Sequence, residues 1–349
     1  MERTAASPAM AVEALAIGGL AVITVALAIA GLALGPVPLA PGDVIAALLG
    51  QAGPVEQAIV WEIRLPRIAL GIAVGAALAV SGAALQGVLR NPLADPGLIG
   101  VTGGASLGAV MTIVLGGAVA GSLPADLRPF MLPVAAFFGA GVVITFVFAL
   151  ARRHGETSVA TLILAGVAVN AIAGAAIGAM VYISDDQQLR DLTFWTMGAL
   201  GGAGWTLVIA AVVLTLAALP MMLARTRDLD LFQLGERAAF HAGLDVERSK
   251  LLIALATAIA VGAVTAAAGP IGFIGLVAPH LVRLALGPRH GVLLPASLLT
   301  GVALVLAADL AVRLAVPPAE PPIGLATSLI GGPFFLWLLI RGQGMRRHA

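Results

Sequence analysis

The chain has no cysteine in 349 residues. That excludes a disulfide, a thiolate nucleophile and any cysteine-ligated metal or iron–sulfur centre. Charge is also scarce: Asp, Glu, Lys and Arg together make up 11% of the chain, where a soluble globular protein carries about 25%. The formal net charge is +1, which gives no basic field to attract nucleic acid. Lysine occurs once, as Lys250 after Val-Glu-Arg-Ser. No GxxxxGK[ST] loop exists to cradle ATP phosphates, so an ATP-driven activity would need its motor on a separate subunit.

What replaces charge is apolar surface. Hydrophobic residues make up 60% of the chain and the mean hydropathy is +1.05. One core cannot hide that surplus, so the solvent is lipid. The apolar runs are long and do not alternate, which selects helices over a β-barrel. Pro, Gly and charge punctuate the chain into ten segments near 12–35, 63–84, 93–116, 130–151, 158–182, 205–224, 251–268, 272–287, 291–313 and 323–341. No polar stretch is long enough for a soluble domain, so residues 1–349 read as one transmembrane domain. The first segment is too long for a signal-peptide core and reads as an uncleaved span.

An even number of spans puts both termini on one side. With the termini inside, thirteen of the 19 Lys and Arg residues lie inside, Arg3 and Arg347 among them, and five lie outside. This matches the bias of membrane proteins. Arg64, Arg67 and Arg313 are among the five outside, so they need a purpose other than orientation. The 43 glycines fit helices packed through small residues. GxxxG spacings occur at Gly31/Gly35, Gly71/Gly75, Gly104/Gly108 and Gly174/Gly178.

Three stretches depart from plain apolar helix. In RNPLADPGLIGVTGGASLG (90–108), Pro92 and Pro96 remove backbone donors, so the chain is turned or broken there. It reads either as a tight loop or as a broken, pathway-lining helix. Its Gly97-Leu-Ile-Gly-Val is echoed by Gly272-Phe-Ile-Gly-Leu half a chain later, the trace expected of an internal repeat. The segment 225–250 is the longest polar one, and its spacing predicts two short amphipathic helices broken at Gly235 and Gly243. These are either a surface loop or a docking platform for a cytoplasmic partner. The third, SDDQQLRDLTFWTMGALGGAGW (184–205), places Trp195 and Trp205 as an interfacial belt around a short helix. Ionisable groups within the spans are few: Glu13, His280, Arg283 and Asp309. Asp309 and Arg313 are spaced for a local i,i+4 pair.

RLPR (64–67), LQGVLRNPLADPGLIGVTGGASLG (85–108), DLTFWTMGALGG (191–202), LGERAAFHAGL (234–244), GPIGFIGLVAPHLVR (269–283), AADLAVR (307–313) and EPPIGLATSLIGGPFF (320–335) resemble, in order, the FecCD-type permeases. These are the membrane subunits of bacterial ATP-binding-cassette importers for siderophore-iron, haem and cobalamin. The resemblance implies an all-α, type II importer permease fold of about ten transmembrane helices with an internal pseudo-repeat. It implies a homodimer in the bacterial inner membrane with both termini cytoplasmic. The partners would be a second copy, two cytoplasmic ATPase subunits carrying ATP and Mg, a periplasmic binding protein and the bilayer, with no cofactor on this chain.

Residue by residue, the resemblance makes Arg64, Arg67 and Arg313 pockets for acidic residues of the binding protein. It puts Asn91, Leu93, Thr157 and Ser158 at cytoplasmic gates. It makes residues 229–248, with Leu231, Leu234, Gly235, Glu236, Ala239 and Gly243, the coupling helices that meet the ATPase. QLRDLTFWTMG (188–198) is similar to the haem-importing branch, which implies haem as cargo and Arg190 and Trp195 as contacts at the outer mouth. The bland alternative pairs Arg190 with Asp186 or Asp191.

Overall fold

The computed structural model describes residues 8–153, 156–317 and 319–346; Arg3, Arg347 and both termini lie outside them. Thirteen helices carry the description: α1 (Pro8–Ala33), α2 (Leu65–Leu89), α3 (Val101–Leu115), α4 (Met131–Ala151), α5 (Val159–Ile183), α6 (Asp186–Thr196), α7 (Trp205–Leu223), α8 (Thr226–Phe232), α9 (Glu236–His241), α10 (Val246–Ala268), α11 (Ile274–Leu286), α12 (His290–Ala315) and α13 (Ile323–Arg346). Each of the ten expected segments coincides with one of them. Among the described residues, seven helices are long and apolar enough to cross a membrane, and Val101–Leu115, Ile274–Leu286 and Ile323–Trp337 are shorter apolar helices.

Two boundaries differ from the sequence expectation for a local reason. The second segment is entered through a π-helical turn, Ile59–Arg64, which runs straight into α2 and Pro66 within one continuous helix, Pro54–Leu89. The third begins late, at Val101. Pro92 and Pro96 hold the chain non-helical, Pro96–Ile99 forms one 3₁₀ turn, and Gly100 at φ +88° starts α3.

Helix α2 is the spine. It is buried along nearly its whole length and packs against α7, α10, α11 and α12. In lipid there is little hydrophobic drive between helices, so association depends on close van der Waals approach through small residues. A Cβ on Gly75 would sit 2.5 Å from Val302 Cα of α12, and one on Gly82 would overlap the carbonyl oxygen of Gly275. Gly104 and Gly108 serve the α3–α4 contact in the same way, against Gly139 and Ala135. The four GxxxG spacings therefore part company. Two pack helices, Gly31/Gly35 border arginine guanidinium groups, and Gly174/Gly178 of α5 face open space.

The echoed stretches meet in space. Gln86 Nε2 of α2 donates to the carbonyls of Ala94 (3.3 Å) and Gly275 (3.2 Å), and both stretches break helix before α3 and α11 respectively. In the second copy the left-handed residue is Phe273 (φ +69°), not glycine.

These contacts set a mutational contrast. Gly82→Ala, which must force α2 from α11, is expected to lower stability by about 1–3 kcal/mol. Gly178→Ala is expected to leave it unchanged or slightly raised. Thermal unfolding of the detergent-solubilised protein checks both.

Candidate functional site

The two ends of the helix bundle hold different chemistry. At the end where α1 finishes, its last carbonyls have no intrahelical partner. Two guanidinium groups supply the donors. Arg64 donates to the carbonyls of Leu32 and Val37, and Arg313 Nη1 to those of Gly31 and Leu34, both at 3.3 Å. Glycine at 31 and 35 leaves the room these groups occupy. Arg67 Nε donates to Asp309 Oδ1 at 2.9 Å and its Nη1 to Glu320. The other Asp309 oxygen lies 3.1 Å from Arg313 Nε, the expected i,i+4 pair. Three positive and two negative side chains thus close around the negative end of a helix dipole.

Arg64, Arg67, Asp309 and Arg313 are 3%, 5%, 2% and 3% exposed. These are the three arginines that the resemblance makes pockets for a partner's acidic residues, and within the single chain all three are buried. Each bonds within the chain, and together they tie α1, α2, α12 and the approach to α13. The sequence showed the Asp309–Arg313 spacing but gave no sign of Arg67, 242 positions from Asp309.

Beside this cluster, α6 begins with a capping box: Asp185 accepts from Gln188 N at 2.8 Å, and the Gln188 side chain accepts from Asp185 N at 3.1 Å. Arg190 is exposed on it and donates to Gln187 Oε1 (2.8 Å), not to Asp186 or Asp191 as the bland alternative had it. Trp195 is half-buried against the core. Trp205 donates to the Trp61 carbonyl (2.7 Å) and Trp61 to that of Ala47 (2.9 Å), so the two rings pin the segment before α2 rather than merely facing an interface.

At the opposite end, Asn91 accepts from Leu93 N (2.9 Å) and Asp95 from Gly97 N (2.8 Å). These two turns form the broken stretch between α2 and α3. Asn91 and Leu93 are half-buried there. Burial pushes the Asp95 carboxyl above its usual range, against the Gly97 N–H that favours the ionised form. Asn170 of α5 donates to the Gly97 carbonyl (2.8 Å), and Arg283 of α11 donates to Gln86 Oε1 (2.8 Å).

The polar segment folds as its spacing predicts. It forms α8 and α9, with Gly235 at φ +102° and Gly243 at φ +85° as the breaks. Its charges, however, are divided between partners. Asp228 accepts from the Ser249 hydroxyl (2.5 Å), Asp230 from His290 N (2.9 Å), and Gln233 donates to the Gly87 carbonyl (3.2 Å). Leu229, Phe232 and Ala239 point inward, Leu231 is half-buried, and Leu234, Phe240 and Gly243 are exposed. A cleft of 1440 Å³ runs between this segment and the turn before α5, lined by Arg90, Thr157, Ser158, Leu234, Glu236 and Phe240 among others. The turn is a pair of two-residue strands, with Arg152 opposite Thr157. Ser158 is exposed and caps α5, while Thr157 is buried and donates to Glu247 (2.5 Å). Lys250, noted in the sequence only for lacking a glycine-rich loop, lies buried at the centre of these contacts.

Of the remaining intramembrane groups, Glu13 has a charged neighbour, while neither ring nitrogen of His280 has a hydrogen-bond partner among the described residues. Glu13 lies 3.8 Å from Arg289, and His280 packs its ring edge-on against Phe334 at 5.9 Å.

Comparison with known proteins agrees with this geometry. The model of the FecCD transport family matches residues 22–341. The hemin transport system permease protein HmuU of Yersinia pestis is 48% identical over 288 residues, 82% of this chain and 85% of that protein. The cobalamin import system permease protein BtuC of Halobacterium salinarum is 44% identical over 283 residues, 81% and 73% of the two chains. A solved inward-facing conformation of a metal-chelate type ABC transporter superposes with a TM-score of 0.82 at 31% identity. That match covers 93% of this chain and 98% of the other.

The buried cluster yields a stability test. Asp309→Ala leaves Arg67 and Arg313 facing each other without their shared anion and is expected to cost about 3–5 kcal/mol. Arg190→Ala, on the exposed face of α6, is expected to stay within about 0.5 kcal/mol of the parent. Denaturant unfolding in detergent separates the two outcomes.

Proposed function

Because the chain belongs to the FecCD transport family, as a permease subunit of an ATP-binding-cassette importer and not an enzyme, we propose that its cargo is haem. In this reading two copies enclose the pathway in a bacterial inner membrane, with both termini cytoplasmic. The observation that carries the cargo assignment is the 48% identity to a hemin permease, set beside 44% for a cobalamin permease. The exposed guanidinium of Arg190 agrees with it, since a haem propionate is the kind of anion that arginine meets through charge-assisted hydrogen bonds. Cobalamin is the second reading, favoured by the several vitamin B12 permeases among the relatives.

The chemistry of translocation follows from what α5 offers. Its open face carries Gly174 and Gly178 with Leu164, Val167 and Ile172 exposed. Such a wall has little to hold a cargo with, as a conduit requires. It also leaves an apolar surface for a second copy to cover. ATP on the partner subunits would shift the pair between outward- and inward-facing states through its different affinity for each. Asn91, Leu93, Thr157 and Ser158 are the proposed cytoplasmic gate. Leu231, Leu234, Gly235, Glu236, Ala239 and Gly243 belong to the proposed contact with the ATPase, to which Leu234 offers an exposed apolar side chain. Arg64, Arg67 and Arg313 serve a binding protein indirectly, by holding the surface it meets in shape.

Proteoliposomes containing the complete complex test the cargo. Haem-loaded binding protein is expected to stimulate ATP hydrolysis and haem accumulation, while cobalamin- and siderophore-loaded proteins leave both at the basal level. Stimulation by a cobalamin carrier alone would transfer the assignment to the second reading.

A further inference from the structure

Lys250 is the chain's single lysine, and it is 1% exposed one turn into α10. Its ammonium group has three donors and no acceptor capacity. The structure supplies three acceptors, two from other elements and one from its own helix: Glu236 Oε2 of α9 at 2.7 Å, the main-chain carbonyl of Thr157 at 2.9 Å, and Glu247 Oε1 of α10 at 3.2 Å. Glu247 closes the circuit by accepting from the Thr157 hydroxyl at 2.5 Å. Burying an ammonium is costly, and an apolar side chain of similar length would fill the same space without that cost. Packing alone therefore does not account for the lysine.

The neighbouring helices show what the charge accomplishes. Helix α8 is fixed by buried Leu229 and Phe232 and by three polar contacts, through Asp228, Asp230 and Gln233. Helix α9 has one buried residue, Ala239, too little apolar area to hold a helix in register. Its outer residues, Arg237, Phe240 and His241, line the cleft. The Glu236–Lys250 ion pair is thus its main tether, and the far side of that tether is the backbone at Thr157, immediately before α5.

We propose that Lys250 is a positioning residue that carries displacement of α9 to the turn entering α5. A force on the exposed side of α9 would move Glu236, and through one ammonium group it would move the main chain at Thr157. This rests on the reading of α9 as the ATPase contact and of residues 157–158 as the gate.

The absence of native cysteine allows a specific test in the assembled complex. Spin labels at Glu156→Cys and Arg237→Cys report the distance between the turn and α9, first without nucleotide and then with ATP trapped. With Lys250 present the distribution is expected to be narrow in both states, because the two labels move together. Lys250→Met is expected to broaden it and to lower cargo uptake per ATP hydrolysed by about tenfold, the scale of a typical coupling free energy. Lys250→Arg is expected to restore both. Glu236→Gln, at a partly exposed site, repeats the measurement should Lys250→Met not assemble. An unbroadened distribution with unchanged uptake per ATP, in whichever of these variants assembles, overturns the proposal. Failure of the underlying functional reading is distinct: the complex with native Lys250 would then show no cargo-stimulated hydrolysis.

Discussion

The structure depends on how a helix of the bundle ends. The last carbonyls of α1 and those of the turn after it have no amide of the helix to accept from. Arg64 and Arg313 satisfy them, and each arginine is then a buried charge needing its own counterpart. Asp309, shared between Arg67 and Arg313, answers that need, with Glu320 closing the far side of Arg67. Burying four of these five ionisable groups is costly, and the carboxylate and carbonyl acceptors around the guanidinium groups offset that cost. The result joins four parts of the sequence, near residues 33, 65, 310 and 320, at one end of the spine helix α2.

The opposite end is built on a different principle. There the contacts are numerous but local to short elements: α8 bolted to α10 and α12, α9 tethered through Lys250, and the 152–157 turn resting on Glu247. A clamp of interlocking buried ion pairs and a set of separately tethered short pieces answer mechanical load differently. Small displacements spread through the second, while the first resists them until it breaks. A translocating subunit needs both, a fixed frame and a part that its motor can move.

Much of this was legible from the residues alone. The membrane solvent, the ten apolar segments, the breaks at Pro92, Pro96, Gly235 and Gly243, and the i,i+4 pair of Asp309 with Arg313 follow from composition and spacing, which are local. The partners of Arg64, Arg67 and Lys250 were not legible. Apart from Glu247, three positions before Lys250, they lie from 14 to 253 positions away, and no period or spacing encodes a long-range pair. That is why Arg64 and Arg67 read as a surface feature. Two arginines at a helix mouth look the same in sequence whether they face water or a neighbouring helix end. The GxxxG spacings teach the same lesson: Gly71/Gly75 and Gly174/Gly178 are alike in sequence, yet one pair sits in a helix crossing and the other on an open face.

The claim that most needs testing is that the arginine cluster is an internal clamp rather than a surface for another protein. A double-mutant cycle on Arg67→Leu and Asp309→Leu, read as unfolding free energy of the isolated chain in detergent, addresses it without any partner. A clamp gives a coupling of about 1–3 kcal/mol, with the double variant more stable than the sum of the single losses allows. Losses that simply add, within about 0.5 kcal/mol, would show that the two residues act independently and contradict the account.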